Sequence, residues 1–430
     1  MRDNTELFEI LKKGVSSCHV VMQAEQYLRQ RGFVPLSMKE VWEIMPGGKY
    51  YINHHDTTLM AFTIGRDYQN GEEIRIGAAH TDFPCLKIKP NPEIHTSGYG
   101  EVNVECYGGG IWNTWLDRPL SVAGRVALKS DSIFAPRIEK VDFSRPVLTI
   151  PNLAIHMNRE VNKGIELNKQ IDLLPILSSI PKEQKDAKYF LRLLAEELNA
   201  EEDDILDYEL TVYNAEAPCY VGASEEFLSS PRLDNLTSVY ALLQGIAGEE
   251  RAGGINFMAL FDHEEIGSRS KQGAASLLLR DILNRILLAL KASQGEAQAD
   301  LYRSRMLSVD VAHAAHPNQM GKMDPTNQPV LNGGFCLKEA SSQSYATDCE
   351  AIGGIKQLCD REKIACQKFV NRSDLAGGGT LGAIASAMLP IPTVDLGVPL
   401  LAMHSARELM GRNDMEALCD CIRAWYRVES

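Results

Sequence analysis

The sequence predicts an α/β fold interrupted by an inserted, largely β module. Three observations predict it. Apolar runs of strand length end abruptly in carboxylates or histidines, most sharply where Ile255–Phe261 breaks into Asp262-His263-Glu264-Glu265. Between such runs lie segments whose apolar residues recur at helical spacing. From about Pro90 to residue 222 the texture changes to turn residues and short alternating runs. At 430 residues the chain is longer than a single core usually supports. The expected division is a discontinuous α/β body over 1–89 and 223–430, with the insertion over 90–222.

Composition removes several function classes. The hydrophobic fraction of 44% and charged fraction of 23% are those of a globular protein. A net charge of -13 argues against nucleic acid or an anionic membrane as partner. No run approaches the roughly 18 apolar residues of a membrane span. The polar start, Met1-Arg2-Asp3-Asn4-Thr5-Glu6, carries no signal-peptide apolar core, so a cytoplasmic location is expected. Ten cysteines without a CxxC pair read as small buried hydrophobes in a reducing compartment. Cys419 and Cys421 fall in an amphipathic C-terminal helix and read as no metal site.

In order along the chain, Glu6 to Arg31 has helical spacing and is stopped by Gly32. Lys49 to Gly65 reads as a β-hairpin turning at His54-His55-Asp56, with both histidines at the surface. Ile74–Ala79 is a short strand leading into His80-Thr81-Asp82. A carboxylate two residues from an imidazole can fix its tautomer and leave the other nitrogen for a metal. Within the insertion, Pro151–His156 follows a strand, and Pro181 to Asn199 reads as a helix. Asp234 opens an apolar helix to about Ile246, where its side chain suits an N-cap and Arg232 suits a partner. The Ile255–Phe261 strand and its acidic end come next, then a long helix from about Ala274 to Ala292. Met306–His313 reads as another apolar strand around Asp310. Leu331–Asp348 is polar and Gly-rich, with Lys338 and Tyr345 in it. Phe369–Gly382 is a loop into a helix, with backbone N–H groups that suit an anion. Thr393–Gly397 is a strand carrying an acid, Leu401 to Ser405 includes His404, and a helix from Asp414 to about Val428 closes the chain.

Five of these ends present a hard oxygen or an imidazole: His80, Asp234, Glu264-Glu265, Asp310 and His404. Buried charge must be compensated, so the pattern exceeds what folding requires. Two histidines and three carboxylates suit two divalent cations, Zn²⁺ or similar, about 3.5–4 Å apart. One aspartate would bridge, and each metal would take one histidine and one further carboxylate. One glutamate of the Glu264-Glu265 pair is then left to take the proton of a metal-bridging water, whose pKa falls to about 7. Mn²⁺ and Co²⁺ suit the same ligands.

His80-Thr-Asp-Phe-Pro-Cys-Leu-Lys-Ile-Lys-Pro90, Arg232-Leu-Asp-Asn-Leu236, Phe261-Asp-His-Glu-Glu-Ile-Gly-Ser268, Ser308-Val-Asp-Val-Ala-His-Ala-Ala-His-Pro-Asn318 and Met403-His-Ser-Ala-Arg-Glu408 carry a resemblance to the aspartyl aminopeptidase family of cocatalytic-zinc metallopeptidases. Tyr50–Phe62, Ile150–Arg159 and Tyr345-Ala-Thr-Asp348 extend it. It implies a mixed-sheet zinc-peptidase catalytic domain with helices on both faces, interrupted by a β-rich dimerisation domain. It implies His80, Asp234, Glu265, Asp310 and His404 as metal ligands, Asp82 as the residue orienting His80, and Glu264 as general base. It implies contact with substrate by His156, Lys338 and Tyr345, the lysine meeting an acidic side chain. The run around that lysine, Gly334-Phe-Cys-Leu-Lys-Glu-Ala-Ser341, departs from the family's Ile-Lys-x-Asn. It further implies removal of N-terminal residues from peptides, with Asp or Glu preferred, in a homododecamer built from dimers. The rival readings are a deacylase using the same metals and a shell or cargo protein whose hydrolysis is vestigial.

Overall fold

The computed structural model describes residues 5–180 and 188–429. The chain divides into two compact units: Met1–Asp82, Pro218–Met403 and Glu408–Ser430 form one, and Phe83–Ala217 with His404–Arg407 form the other.

The first unit is built on a mixed nine-stranded sheet among the described residues. Its four inner strands, Ile255–Phe261, Ile74–His80, Arg305–Val309 and Thr393–Gly397, run parallel in that order. They are buried along their length, as expected of strands covered on both faces. Ile74, Ile76 and Ala78 share an apolar cluster with Ile282, Ile286, Leu381 and Ala385 from helices Leu278–Ala289 and Leu381–Met388. The alternate face meets Leu242 and Tyr426 from helices Leu233–Gly248 and Arg412–Arg427 beside Gly77. The hairpin Lys49–His54 with Thr58–Ile64 adds antiparallel strands at one side, and its turn uses positive φ at His55 and Asp56. At the other side Phe335–Glu339 pairs antiparallel with Thr393–Gly397. A five-stranded sheet in this unit includes Glu408–Gly411 and the two-residue Ala312–His313.

Three expectations change. The N-terminal helix is two helices, Thr5–Lys13 and Ser17–Arg29, broken at Gly14. A Cβ on Gly14 would lie 2.8 Å from the Ile10 carbonyl and 3.1 Å from Leu236 Cδ1, so tertiary packing requires glycine there. The Met306–His313 run belongs to two sheets, with Asp310 at the point where the chain leaves the first. The long helix after Ala274 begins at Leu278, because Gly273 to Ser276 is occupied by turns. The structure also places a buried strand, Phe335–Glu339, in the Gly-rich stretch, and a helix, Cys349–Glu362, after it.

The second unit is a six-stranded antiparallel sheet among the described residues, in the order Arg137–Asp142, Leu120–Leu128, Ile205–Asn214, Cys85–Thr96, Tyr99–Tyr107, Ile176–Ser179. Helix Tyr189–Leu198 buries Phe190 and Leu194 in it. Residues 181–187, where the expected helix was to begin, and residues 1–4 of the polar N-terminal segment lie outside the described residues.

Candidate metal centre

The parallel strands deliver their carboxyl ends to one place, where ligands of open α/β sheets bind. His80 is the last residue of Ile74–His80 and pairs with Phe261. Asp310 follows Val309, and its N–H donates to the Leu396 carbonyl at 2.8 Å. After Phe261 the chain turns through His263 at φ 65, so Glu264–Ile266 form one 3₁₀ turn closed by the Gly267 N–H on the Glu264 carbonyl. Asp234 and Asn235 lie at the start of helix Leu233–Gly248 with non-helical dihedrals, and the peptide bond between them is cis. The Asn235 amide donates to the Val309 carbonyl at 3.0 Å, which ties the helix mouth to the strand end beside Asp310.

These elements bring four of the five predicted ligands, His80, Asp234, Glu265 and Asp310, together. Ligand atoms of His80, Asp234 and Glu265 lie within 4.8 Å of one another. His80 Nε2 is 3.5 Å from Asp234 Oδ1 and 3.5 Å from Asp310 Oδ1. On the far side of the ring, His80 Nδ1 is 3.0 Å from the Asp82 carbonyl oxygen and 3.4 Å from its Oδ1. The Asp82 carboxylate does more than face the imidazole. It accepts the backbone N–H of Glu264 and of Glu265, each at 3.1 Å, and so fixes the turn that carries both glutamates.

Charge is concentrated here. Burial acts to lower the His80 pKa, but Asp234, Asp310 and Asp82 outweigh it and hold the imidazole well above its ordinary value. Glu264 is pushed up to about 8, by burial first, with His80 opposing and Asp310, Asp82 and Asp234 adding. The shift is set first by burial, which penalises the charged carboxylate, with the neighbouring acids adding to it. An imidazole nitrogen with converging carboxylate oxygens is also a donor set for a divalent cation. The residues present therefore fit the metal that the sequence motifs imply.

Lys338 is buried beside Asp310. It is 2% exposed, and its ammonium donates to the Val311 carbonyl at 2.8 Å and the Asp310 carbonyl at 3.2 Å, with Asp310 Oδ2 at 3.4 Å. Tyr345 is also buried, with its ring centroid 4.9 Å from Lys338 Nζ. His156 and His404 fall in the second unit. His156 is exposed in a turn, and His404, at φ 66, has Nδ1 3.2 Å from the Gly109 carbonyl.

Two residues were given no role by the sequence reading. Glu408 is buried, and its Oε2 accepts the Asp234 N–H at 3.0 Å. Its signal was weak: one acid ahead of the apolar pair Leu409-Met410. Asp395, noted only as an acid within a strand, accepts the Ala346 N–H and the Thr380 hydroxyl, each at 2.6 Å.

A mixed α/β sheet with imidazole and carboxylates gathered at its parallel strand ends defines a metal-dependent hydrolase. The comparisons make that class specific. Residues 10–426 match the family model described as "Aminopeptidase I zinc metalloprotease (M18)". A "Probable M18 family aminopeptidase 2" of Clostridium novyi (strain NT) is 44% identical over 410 residues, covering 95% of each chain. One of the same description from Pseudomonas savastanoi pv. phaseolicola is 38% identical, covering 98% of this chain and 97% of the relative. Among solved structures, "Cryo-EM structure of the Ape4 and Nbr1 complex" matches with TM-score 0.91 and 32% identity, over 98% of this chain and 84% of that one. "Structure of S. cerevesiae mApe1 dodecamer" matches with TM-score 0.85 and 26% identity, over 98% and 95%. The chain belongs to the M18 family and is a zinc metallo-aminopeptidase, a hydrolase.

Proposed function

We propose that the protein removes the N-terminal residue of peptides with Glu264 as general base at a centre for two divalent cations, Zn²⁺ by donor set. The observation that carries this reading is the meeting of His80, Asp234 and Glu265 within 4.8 Å, with Asp310 Oδ1 3.5 Å from the same imidazole nitrogen. His80, Asp234, Glu265 and Asp310 would hold the cations. The Met403–Glu408 motif adds His404 to the proposed ligands. Bound divalent cations supply Lewis acidity to the scissile carbonyl and make a water acidic enough to attack at neutral pH. Glu264 accepts that water's proton and delivers it to the leaving amine. Asp82 acts through others, holding the His80 ring on one side and the Glu264–Glu265 backbone on the other.

The substrate is a peptide with a free amino terminus. A preference for Asp or Glu remains part of the proposal, with His156, Lys338 and Tyr345 as proposed contacts by motif. A homododecamer is proposed on the likeness to the yeast structure described as one. The ten free cysteines suit a reducing, cytoplasmic setting. No helix of the described residues is long and apolar enough to cross a membrane.

The test is Glu264→Gln with metal content measured alongside turnover of a free-amino peptide. The variant keeps its metal and loses roughly 10² to 10⁴ in kcat, the scale of a lost acid–base group. His80→Ala and Asp234→Ala lose metal instead. Normal turnover by Glu264→Gln would remove Glu264 from the chemistry.

A further inference from the structure

Asp310 presents two different oxygens. Oδ1 lies 3.5 Å from His80 Nε2, on the side of the cluster, while Oδ2 lies 3.4 Å from the Lys338 ammonium. That ammonium has little freedom. It sits on strand Phe335–Glu339, paired in register with Asp395 on Thr393–Gly397, and is 2% exposed. Its donors are directed at the carbonyls of Val311 and Asp310 and at Asp310 Oδ2, and the Tyr345 ring packs 4.9 Å away. Asp395, itself buried and held by Ala346 and Thr380, lies within electrostatic reach of it. A buried ammonium with these partners is a fixed positive charge beside the proposed ligand Asp310.

We propose that Lys338 is a positioning residue for the metal centre: it restricts Asp310 to one available oxygen and weakens cation binding on the Asp310 side. One of the two cations is then held less tightly and exchanges more readily. The inference rests on the metal-centre reading above. Its physics is direct. An ammonium sharing a carboxylate with a dication draws on the same negative charge and repels the dication through a medium of effective dielectric about 20, where charges about 4 Å apart still interact strongly. Without the cation, the same ammonium offsets the clustered acids and keeps the empty centre folded. Lys338 thus evens out the cost of emptying and filling the site.

The test is calorimetric titration of Mn²⁺ into metal-free protein, read as affinities rather than activity. The wild type binds two equivalents with unequal affinities. Lys338→Gln, which keeps an N–H donor for the Val311 carbonyl but removes the charge, tightens the weaker equivalent by about tenfold or more, as loss of a nearby like charge requires. Lys338→Arg, which keeps the charge, leaves the inequality in place. Equal affinities in the wild type overturn the proposal, and that measurement stands even where Lys338→Gln fails to fold. A folded Lys338→Gln whose weaker affinity is unchanged overturns it as well. Binding of no cation by the wild type would instead defeat the metal-centre reading itself, so the two failures are distinguishable.

Discussion

Asp414, at the start of helix Arg412–Arg427, shows how burial alone can make one residue pH-sensitive. Its two carboxylate oxygens accept the N–H groups of Asn332 and Gly334, each at 2.8 Å, yet burial outweighs these bonds and pushes it from 3.8 up to about 7. The titratable neighbour facing it is the buried Cys336 thiol, which burial holds protonated throughout this range. The folded protein therefore retains a proton that the unfolded chain releases near pH 4. Its contribution to stability is complete below that pH and is lost as pH rises toward about 7. In Asp414→Asn this slope disappears. The Tm difference between wild type and variant should narrow steadily from pH 4 to pH 7, and a constant difference would mean that Asp414 ionises normally. Such behaviour is invisible in sequence, because an acid in a first helical turn reads as ordinary dipole compensation. The ligand candidates His80, Asp234, Glu265 and Asp310 were legible for the opposite reason. Each sits at the end of an apolar strand or at the mouth of an apolar helix, where an uncompensated charge is costly. The burial of Lys338 was not legible, because no local pattern announces the pairing of its strand with Thr393–Gly397.

At the scale of elements, the position of His80 depends on how closely helices approach the strand behind it. Gly77, three residues earlier, has Leu242 and Tyr426 over it: an added Cβ would lie 2.4 Å from Leu242 Cδ2 and 2.5 Å from the Tyr426 hydroxyl oxygen. That hydroxyl donates to the Phe257 carbonyl at 2.7 Å, so it is not free to retreat. Gly77→Ala should cost about 1–3 kcal/mol, the range for overpacking a filled core, read from the midpoint of denaturant unfolding. An unchanged midpoint would show that the helix pair Leu233–Gly248 and Arg412–Arg427 can shift without penalty. The strands in this core were legible because they are mainly apolar and end abruptly. The helices were less so where glycine decides: Gly14 breaks one predicted helix in two because Leu236 needs the space, and helix Cys349–Glu362, with two glycines and a short apolar face, gave little periodic signal.

For the whole molecule, the centre couples stability to metal. The chain carries a net charge of -13, and at His80 the acids Asp82, Asp234 and Asp310, together with Glu264, act on one imidazole. Folding without cations must bring these carboxylates together against their mutual repulsion and desolvation, which is why Glu264 is pushed up to about 8. The unfolded chain does not gather them, so cations bind the folded state in preference and raise its stability by mass action. At free metal a hundred times Kd, one site adds about 2.7 kcal/mol. Chelation should therefore lower Tm, and graded return of Zn²⁺ or Mn²⁺ should raise it again with the logarithm of metal concentration. His80→Ala should blunt that response and also lower the Tm of the metal-free protein, since it takes away the imidazole that faces Asp82, Asp234 and Asp310. A wild-type Tm indifferent to both chelator and metal would mean that the clustered acids hold no cation, whatever the turnover assays report.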